Sequence, residues 1–349
     1  MSRVAVLKGG SSLEREVSLR SGSQVEDALE RLGHAVVPID VGGDLVARLR
    51  EERPEVAFIA LHGRDGEDGT VQELLELVGV PYTGSGVSAC VRSADKALAK
   101  HELQAAGVPT PEFFAFTLTA FEALGAADAL PEIEERLAFP IVVKPASGGS
   151  ALGIRIAHAP ADVPPALVSA FSYDAKVLLE RHVRGRELAV SLLDGVPLPV
   201  VEAIPRGRAD VAPGIAMAGV PGRPAAAPPG RGAEPPYDFE ARYEIGKTHF
   251  VCPAGLPDAA THRAQEVAVA TWRALGLAGF ARVDLILEEA TGELHVLEAN
   301  PVPGLTETSL LPQAAEAAGL GFDDLVARVL ALAGPCPPRP VAARAVRAR

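Results

Sequence analysis

The amino-acid sequence predicts an α/β protein whose N-terminal part contains a parallel β-sheet. Short apolar runs typical of buried strands alternate with segments whose apolar residues recur at spacings of three and four, the period of a helix. Strands that alternate with helices along a chain form parallel sheets. The length of 349 residues is enough for two or three domains with separate cores. Hydrophobic residues at 48% and charged residues at 22% fit a folded globular protein.

The N-terminal region supplies the first run of this alternation. Because the carboxyl ends of parallel strands meet at one edge of a sheet, ligand-binding groups are expected there. Glu14 and His62 both lie just beyond predicted strand ends, so both are candidate site residues. Taken alone, Glu14 is better explained as an acid favoured by the positive end of a helix dipole. The predicted elements are strands at 3–7, 34–39 and 56–61 and a helix at 14–32.

Pattern and composition divide the chain into three predicted domains and a tail. An N-terminal domain covers residues 1–94, a central unit covers 95–179, and a C-terminal unit covers 180–334. Within the last unit, residues 205–236 are dominated by Pro, Gly, Ala and Arg, which predicts a long flexible loop because such a segment buries little apolar surface. Residues 335–349 are rich in Pro and Arg without an apolar period, and predict a disordered tail.

Charge and hydropathy argue against two classes of partner. The formal net charge of -12 is opposite to that of a protein that neutralises a nucleic-acid backbone, so no nucleic acid is expected. No apolar run reaches the roughly 20 residues of a membrane helix, so no membrane partner is expected. The first residues lead into a strand rather than a signal peptide, which predicts a cytoplasmic protein.

The most informative polar cluster lies on two predicted strands near the C-terminal end. Arg282 and Asp284 are two residues apart and so face the same side of a strand, as do Glu298 and Asn300. Mg²⁺ prefers oxygen ligands and usually combines one or two carboxylates with substrate phosphates. The cluster therefore indicates a metal-nucleotide site, although an exposed strand face would also explain the first pair. A turn that ends at Gly304 would point a backbone N–H at a reacting oxygen.

A glycine-rich segment at residues 144–153 follows a predicted strand at 140–144. Its small residues allow backbone N–H groups to surround a phosphate, and Lys144 could neutralise the charge. The segment matches neither a Walker motif nor the GxGxxG dinucleotide pattern. By itself it is equally well explained as a flexible hairpin loop between two strands.

Taken together, these segments and several others resemble the D-alanine:D-alanine ligases of the ATP-grasp superfamily. The resemblance covers nearly the whole chain apart from residues 205–236 and the tail. It implies that the N-terminal parallel-sheet domain is followed by a two-subdomain ATP-grasp fold of the α+β type. The matching blocks run in family order: 9–10 with 14–18, 61–63 with 66–70, 81–86, 95–96, 144–153, 237–238 with 243, 252–254, and 282–312.

The resemblance implies an ATP-dependent ligase that joins two D-alanines into D-alanyl-D-alanine for peptidoglycan precursors. The reaction would pass through an acyl phosphate, and it would need ATP with two Mg²⁺ or Mn²⁺ ions. Both steps build negative charge in a site that must exclude water, so fixed cations and N–H dipoles would be the main catalysts. Two D-alanine molecules would be the partners. Dimers are common among the relatives, so a homodimer is a further expectation.

The family's metal and nucleotide residues can be matched one by one. Asp284, Glu298 and Asn300 match its metal ligands. Arg282 and the N–H of Gly304 match the groups that stabilise the tetrahedral oxyanion. Lys96 and Lys144 match phosphate-binding lysines, while Glu180 and Glu187 match positions that hold adenine and ribose. The full set matched to nucleotide binding is Lys96, Lys144, Gly149, Ser150, Glu180, Arg181, Val183, Glu187, Arg242 and Leu297.

The resemblance also assigns substrate residues. Glu14 matches the carboxylate that receives the ammonium of the first D-alanine, linked through Ser150 to Tyr243, and these three are expected to be catalytic. Tyr243 is typical of relatives whose acceptor is an amino acid. Further residues matched to substrate binding are His62, Ser309 and Leu310.

Several positions depart from the family pattern. Gly148 replaces the usual Glu of the phosphate loop, Ala151 replaces a Ser, and Pro301 replaces the Thr after the last metal ligand, where it removes a backbone donor. The insertion at 205–236 adjoins the acceptor region. Two alternatives therefore stay open, a related ligase with another acceptor amino acid and an ATP-binding paralogue without ligase activity. The presence of every expected charge favours an active ligase.

Overall fold

The computed structural model describes residues 1–149, 152–205 and 248–334, which form three β-sheets surrounded by helices. The first sheet is parallel, as the sequence predicts, with β1 as its central strand. Its strands, in chain order, are β1 (Arg3–Lys8), β2 (Ala35–Asp40) and β3 (Val56–Ile59), and they pair in the order β2-β1-β3. The helices of this part are α1 (Arg15–Arg31), α2 (Leu45–Glu52) and α3 (Thr70–Val78).

Two short helices lead from this sheet to the second one. They are α4 (Val87–Ala94) and α5 (Lys96–Ala105). Asp95 separates them and caps α5, because its side chain accepts hydrogen bonds from the N–H groups of Ala97 and Leu98. This cap fixes Lys96 in the first turn of α5.

The second sheet is antiparallel, and it contains the glycine-rich segment as the loop between two of its strands. Its strands are β4 (Phe113–Thr117), β5 (Ile141–Pro145), β6 (Arg155–Ala157) and β7 (Lys176–Arg181), in the order β4-β7-β5-β6. The helices α6 (Leu118–Ala123), α7 (Leu130–Leu137) and α8 (Val163–Phe171) belong to the same region. Apolar residues of α7 and α8 share a buried core with β5, β6 and β7.

The third sheet is also antiparallel. Its strands are β8 (Gly185–Leu193), β9 (Val196–Pro197), β10 (Val201–Pro205), β11 (Thr248–Val251), β12 (Phe280–Glu288) and β13 (Leu294–Asn300). They pair in the order β11-β10-β8-β12-β13, with β9 alongside β8. The helix α9 (Asp258–Leu275) packs on this sheet and shares its buried core with residues of α4 and α5.

The last two helices return to the N-terminal sheet. They are α10 (Leu310–Ala317) and α11 (Phe322–Ala331). Leu311 and Val326 are buried in the same apolar core as the residues of β1 and β3. On the surface, Arg31 of α1 and Asp323 of α11 form an ion pair at 2.6 Å. The first and third sheets are therefore held side by side by chain segments that are distant in sequence.

The predicted domain boundaries stay predictions, but the positions of two of them can be described. The division between residues 179 and 180 falls inside β7, so both residues belong to the second sheet. Residues 206–236 of the predicted loop and the predicted tail at 335–349 lie outside the described residues. Among the helices that the structure describes, none combines the length and the apolar character needed to cross a bilayer.

Candidate active site

The Arg282 to Asn300 cluster lies on two adjacent, paired strands. β12 and β13 pair so that Arg282 is opposite Asn300 and Asp284 is opposite Glu298. Residues directly opposite on one face of an antiparallel pair lie within contact distance. A register shift between Asp284 and Leu285 marks a bulge at this point, a feature that redirects side chains next to functional sites. The spacing argument made from the sequence is thus confirmed at the level of strand pairing.

The carboxylate and amide oxygens of this cluster are ligands of the type that a hard cation prefers. The guanidinium of Arg282 donates to both carboxylate oxygens of Asp284, at 2.6 and 2.9 Å, which fixes that carboxylate in a bidentate pair. The side-chain oxygen of Asn300 accepts a hydrogen bond from the N–H of Val302 at 2.9 Å. Carboxylate and amide oxygens retain lone pairs after such bonds, so these groups can still ligate a metal. This turn also forms without a donor at position 301, where Pro301 has none.

A first cavity lies between the second and third sheets, and most residues matched to the nucleotide line it. Glu187 on β8 is opposite Ile286 on β12, so a ribose-type acceptor and an apolar wall lie side by side. The apolar walls were not predicted from the sequence; they include Val142, Ile156 and Ile286. Eight predicted residues line this cavity: Lys96, Lys144, Gly149, Glu180, Arg181, Val183, Glu187 and Leu297.

Lys96 connects the carboxylate cluster of β12 and β13 to the glycine-rich loop. Its ammonium donates to the carbonyl of Gly148 at 2.6 Å and lies 3.3 Å from a carboxylate oxygen of Glu298. Gly148 has a φ of +89°, a conformation that L side chains rarely adopt. The replacement of the family's usual Glu by Gly148 is therefore compatible with this loop conformation, and the loop presents its carbonyl to Lys96.

Two lysines and one carboxylate form a buried group, of which Glu180 and Lys144 line the first cavity and Lys100 lies behind it. Glu180 is 3% exposed, and its two oxygens lie 3.0 Å from Lys144 and 2.6 Å from Lys100. Burial raises the pKa of Glu180, but the charges of Lys100 and Lys144 outweigh it and hold the pKa below its usual value. Sequence reasoning missed Lys100, because a lysine on an amphipathic helix is normally read as a surface residue.

A second cavity adjoins the first and is lined by acids. Glu14 and Glu67 line it together with Asn300 and Pro301. A Cβ atom at Gly149 would lie 3.0 Å from a carboxylate oxygen of Glu14, so the loop approaches this acid closely. The second cavity is thus bordered by the glycine-rich loop, by the predicted ammonium-binding carboxylate of Glu14 and by Glu298 and Asn300 of the carboxylate cluster. The two cavities share six lining residues: Lys96, Ser147, Gly148, Gly149, Leu152 and Glu298.

Glu67 is a site residue that sequence reasoning did not select. Burial, followed by the negative charge of Glu14, raises the pKa of Glu67 to about 8. This carboxyl therefore keeps its proton to a higher pH than an ordinary glutamate does. The available signal was its position in the loop after β3, among glycines and just beyond a buried strand end.

The turn after β13 places Gly304 against the start of α10. A Cβ at position 304 would lie 2.6 Å from the hydroxyl oxygen of Ser309, so a larger residue would require Ser309 or the turn to shift. Ser309 precedes α10, and Leu310 is its first residue, where backbone N–H groups have no partner within the helix. The N–H of Ser309 itself donates to the carbonyl of Thr306 at 3.0 Å. The roles of Gly304, Ser309 and Leu310 stay predictions, as none of them lines either cavity.

His62 occupies a buried position behind the second cavity rather than on its wall. The side chain is 3% exposed, and its ring nitrogens lie 3.0 Å from the carbonyl of Val302 and 2.9 Å from the hydroxyl of Ser21. It therefore links α1, the end of β3 and the turn after β13. Its substrate contact stays a prediction, while its contacts in the described residues are structural.

The burial of His62 predicts an acid-side loss of stability. Burial lowers the pKa of His62 from 6.5 to about 4, so the unfolded chain binds this proton more readily than the folded protein. The free energy of unfolding should therefore fall as the pH drops from about 6.5 towards 4, by roughly 3 kcal/mol over the full window. In His62→Gln, urea unfolding at pH 7.5 and pH 5 should show a smaller loss between the two values. An equal loss in wild type and variant would contradict this assignment.

Three predicted site residues, Ser150, Arg242 and Tyr243, lie outside the described residues. Eleven of the other predicted positions line the two cavities, namely Glu14 and Asn300 of the second cavity and Lys96, Lys144, Gly149, Glu180, Arg181, Val183, Glu187, Leu297 and Glu298 of the first. Arg282 and Asp284 lie on the strand paired with β13. Two antiparallel sheets that meet over a cavity lined by lysines and carboxylates are the arrangement of the ATP-grasp enzymes. Fold and site together define the protein as a ligase of this class.

Comparison with known proteins identifies the family. The D-ala D-ala ligase C-terminus profile matches residues 103–209 and 230–331, and the D-ala D-ala ligase N-terminus profile matches residues 44–85. The D-alanine--D-alanine ligase of Syntrophotalea carbinolica is 43% identical over 329 residues, which are 94% of this chain and 95% of that protein. The corresponding ligase of Geobacter sulfurreducens is 40% identical over 94% of this chain and 93% of its own length. The chain belongs to the D-alanine–D-alanine ligase family.

Solved structures agree with this assignment. The D-alanine--D-alanine ligase of Bacillus anthracis superposes with a TM-score of 0.77 at 30% identity, over 95% of this chain and 97% of that one. The same enzyme complexed with ATP gives 0.74 at 28% identity over the same shares. The VanG D-Ala:D-Ser ligase of Enterococcus faecalis gives 0.74 at 25% identity, over 95% of this chain and 99% of that one. The profile match leaves out residues 210–229, which lie within the predicted insertion.

Proposed function

We propose that this protein is an ATP-dependent ligase that joins two D-alanine molecules into D-alanyl-D-alanine for peptidoglycan precursors. The observation that carries the proposal is the shared wall of the two cavities, formed by Lys96, the glycine-rich loop and Glu298. A nucleotide in the first cavity would direct its phosphates towards this wall. An amino acid in the second cavity would reach the same wall with its carboxylate, so the two reactants meet there.

The chemistry needs two consecutive steps. The carboxylate of the first D-alanine attacks the γ-phosphate of ATP, forming an acyl phosphate and releasing ADP. The amine of the second D-alanine, after losing a proton, attacks the acyl carbon and gives a tetrahedral intermediate. Collapse of this intermediate forms the peptide bond and expels phosphate. Both steps concentrate negative charge at the shared wall.

The chain supplies two fixed positive groups, Lys96 at that wall and Arg282 on the neighbouring strand β12, opposite Asn300. Lys96 is held by the cap of α5 and by the Gly148 carbonyl, so it can meet a phosphate without large reorganisation. Arg282 is held in its pair with Asp284, and we assign it with the N–H of Gly304 to the oxyanion of the tetrahedral intermediate. Glu14 would bind the ammonium of the first D-alanine, since an ammonium that leaves water needs a charged partner. Such preorganised groups stabilise charge as it develops.

The proposed reaction also needs divalent metal ions. Asp284, Glu298 and Asn300 would hold two Mg²⁺ or Mn²⁺ ions, whose charge would neutralise the ATP phosphates. Two carboxylates and an amide on opposed strand positions support this set. A reaction that consumes ATP also supports the cytoplasm as its location. The homodimer seen among relatives stays an expectation.

The identity of the second amino acid is the main alternative. The similarity to a D-Ala:D-Ser ligase supports testing acceptors other than D-alanine, because the same fold serves both. Tyr243 and the 205–236 insertion, which adjoin the acceptor in the proposal, lie outside the described residues apart from position 205. D-Alanine is the acceptor that the curated relatives support.

The proposal predicts release of one phosphate from ATP for each dipeptide formed. The assay combines ATP, Mg²⁺ and D-alanine, follows phosphate release, and identifies the product by mass; reactions without amino acid and with L-alanine are the controls. A panel of D-amino acids mixed with D-alanine then defines the acceptor. Nucleotide binding without amino-acid-dependent phosphate release would support the paralogue alternative and refute the ligase. Release that requires another acceptor would refute only the acceptor assignment.

A further inference from the structure

The described residues contain one deeply buried lysine that the proposed reaction does not use. Lys100 on α5 is 1% exposed, and it is not among the residues that line either cavity. An ammonium that is removed from water is strongly unfavourable unless it is paired and hydrogen-bonded. Its burial therefore needs an explanation beyond packing.

The contacts of Lys100 hold its ammonium in one place. Nζ lies 2.6 Å from Oε2 of Glu180 and donates to the Thr110 hydroxyl at 2.5 Å and to the Pro111 carbonyl at 3.3 Å. The oxygens of Thr110 and Pro111 accept hydrogen bonds from the ammonium, and the contact with Glu180 is an ion pair. The ring of Phe113 lies 5.2 Å away and adds a cation–π contact. These contacts hold the ammonium of Lys100 beside Glu180.

Glu180 pairs with two lysines, Lys100 and Lys144, of which only Lys144 lines the nucleotide cavity. Its Oε1 accepts a hydrogen bond from Lys144 at 3.0 Å, and Lys144 lines the nucleotide cavity whereas Lys100 does not. A bound nucleotide offers Lys144 other acceptors, namely phosphate oxygens and ring nitrogens. Lys100 is then the one charge partner, among the described contacts of Glu180, that stays in place when the cavity is filled.

The charge state of Glu180 decides which purine base can form a hydrogen bond with its side chain. Adenine presents an amino donor at position 6 and an acceptor at N7, whereas a 6-oxopurine presents acceptors at both positions. A carboxylate can only accept hydrogen bonds, so it matches the amino group and repels the 6-oxo oxygen. A protonated carboxyl could donate to the 6-oxo oxygen, and the discrimination would be lost.

We propose that Lys100 is a positioning residue that holds Glu180 as a fixed, ionised acceptor and thereby makes the enzyme select adenine over 6-oxopurine nucleotides. The inference rests on the proposed function, in which the first cavity binds ATP with Glu180 at the base. It adds a role for a residue that touches neither substrate nor metal. Without Lys100, the buried Glu180 would keep one partner that the nucleotide competes for, and its neutral form would become favoured.

The test compares Lys100→Met with Lys176→Met. Lys176 lies on β7, the strand that carries Glu180, and its ammonium bonds to Asp95 at the start of α5. The control therefore also removes a lysine that ties β7 to α5, but it leaves Glu180 untouched. Calorimetric dissociation constants for ADP and IDP measure the selectivity, because these two nucleotides differ only at position 6 of the purine and the proton that accompanies it. Ratios of kcat/KM for ATP and ITP give the same quantity in turnover.

Lys100→Met is expected to reduce the ADP-over-IDP preference at least about tenfold, mainly through weaker ADP binding. Lys176→Met should keep the wild-type ratio. An unchanged ratio in Lys100→Met, or an equal reduction in both variants, would overturn the inference and leave Lys100 as a structural tie. A wild type that binds neither nucleotide would instead refute the proposed function.

A second variant decides the question if Lys100→Met does not fold. Lys100→Met combined with Glu180→Gln removes both members of the most deeply buried ion pair, so no buried carboxylate is left short of a partner, while Lys144 still faces the nucleotide cavity. An amide offers both a donor and an acceptor, so this double variant should bind ADP and IDP with similar affinity. Retention of the wild-type preference in the double variant would overturn the inference.

Discussion

Glu298→Gln is expected to abolish turnover while leaving the fold intact. The substitution removes one of two carboxylate charges from the proposed metal site but keeps the shape of the side chain. Loss of metal stabilisation of the developing phosphate charge is worth several kcal/mol, so kcat should fall about a thousandfold or more. Phosphate release with saturating ATP, Mg²⁺ and D-alanine measures this loss, and circular dichroism checks the fold.

A second readout separates the metal role from other effects of Glu298. The carboxylate also lies 3.3 Å from Lys96, so a slower variant could in principle reflect a displaced lysine. Mn²⁺ titration in the presence of ADP, followed by electron paramagnetic resonance, should show weaker binding only if Glu298 is a ligand. Glu289→Gln is the matched control, because Glu289 lies on the β12–β13 turn and its side chain is 49% exposed. Unchanged Mn²⁺ affinity in Glu298→Gln would contradict the assignment.

Arg282→Met should produce the second large loss. If Arg282 stabilises the tetrahedral oxyanion, removal of its charge should lower kcat by about a hundred- to a thousandfold, the usual cost of losing one such donor. The kcat of Arg282→Lys should lie between those of the wild type and Arg282→Met, because lysine keeps the charge but cannot form the bidentate pair with Asp284. Steady-state kinetics for the three proteins measure the series.

Binding of a transition-state analogue tests the reason for that loss. A dipeptide analogue with a tetrahedral phosphinate in place of the peptide carbonyl resembles the intermediate, so its affinity should fall in Arg282→Met by the same factor as kcat/KM. The affinity for ADP alone should change only a few-fold, since the adenine and ribose contacts are on other residues. Equal loss of affinity for ADP and for the analogue would indicate a distorted site and would refute the specific oxyanion role.

Much of the site could be predicted because its residues have local signatures. Arg282 and Asp284 are two residues apart, and the strand period alone places them on one face, which the Arg282–Asp284 hydrogen bonds confirm. The glycine-rich loop predicts a close approach of its backbone to another group, and a Cβ at Gly149 would lie 3.0 Å from a carboxylate oxygen of Glu14. Such features depend on backbone geometry over a few residues, so a single sequence is sufficient to show them.

Other site features depend on partners that are far apart in the chain. Lys100 and Glu180 are ordinary charges in their own segments, and only the packing of α5 against β7 joins them in a buried pair. The pKa of Glu67 is raised only because folding buries this side chain near Glu14. His62 follows a strand end, as predicted, but the turn after β13 and α1 enclose it.

The sequence by itself determined the α/β class, the parallel N-terminal sheet and the strand pair that carries the carboxylates, because hydrophobic period and residue spacing are local properties. Tertiary structure alone decided that α10 and α11 return to the N-terminal core, that two cavities share a wall at Lys96 and Glu298, and which charges are buried. The physical reason is that burial and charge pairing are set by segments distant in sequence. A side chain's pKa and hydrogen-bond partners are therefore fixed only when those segments meet.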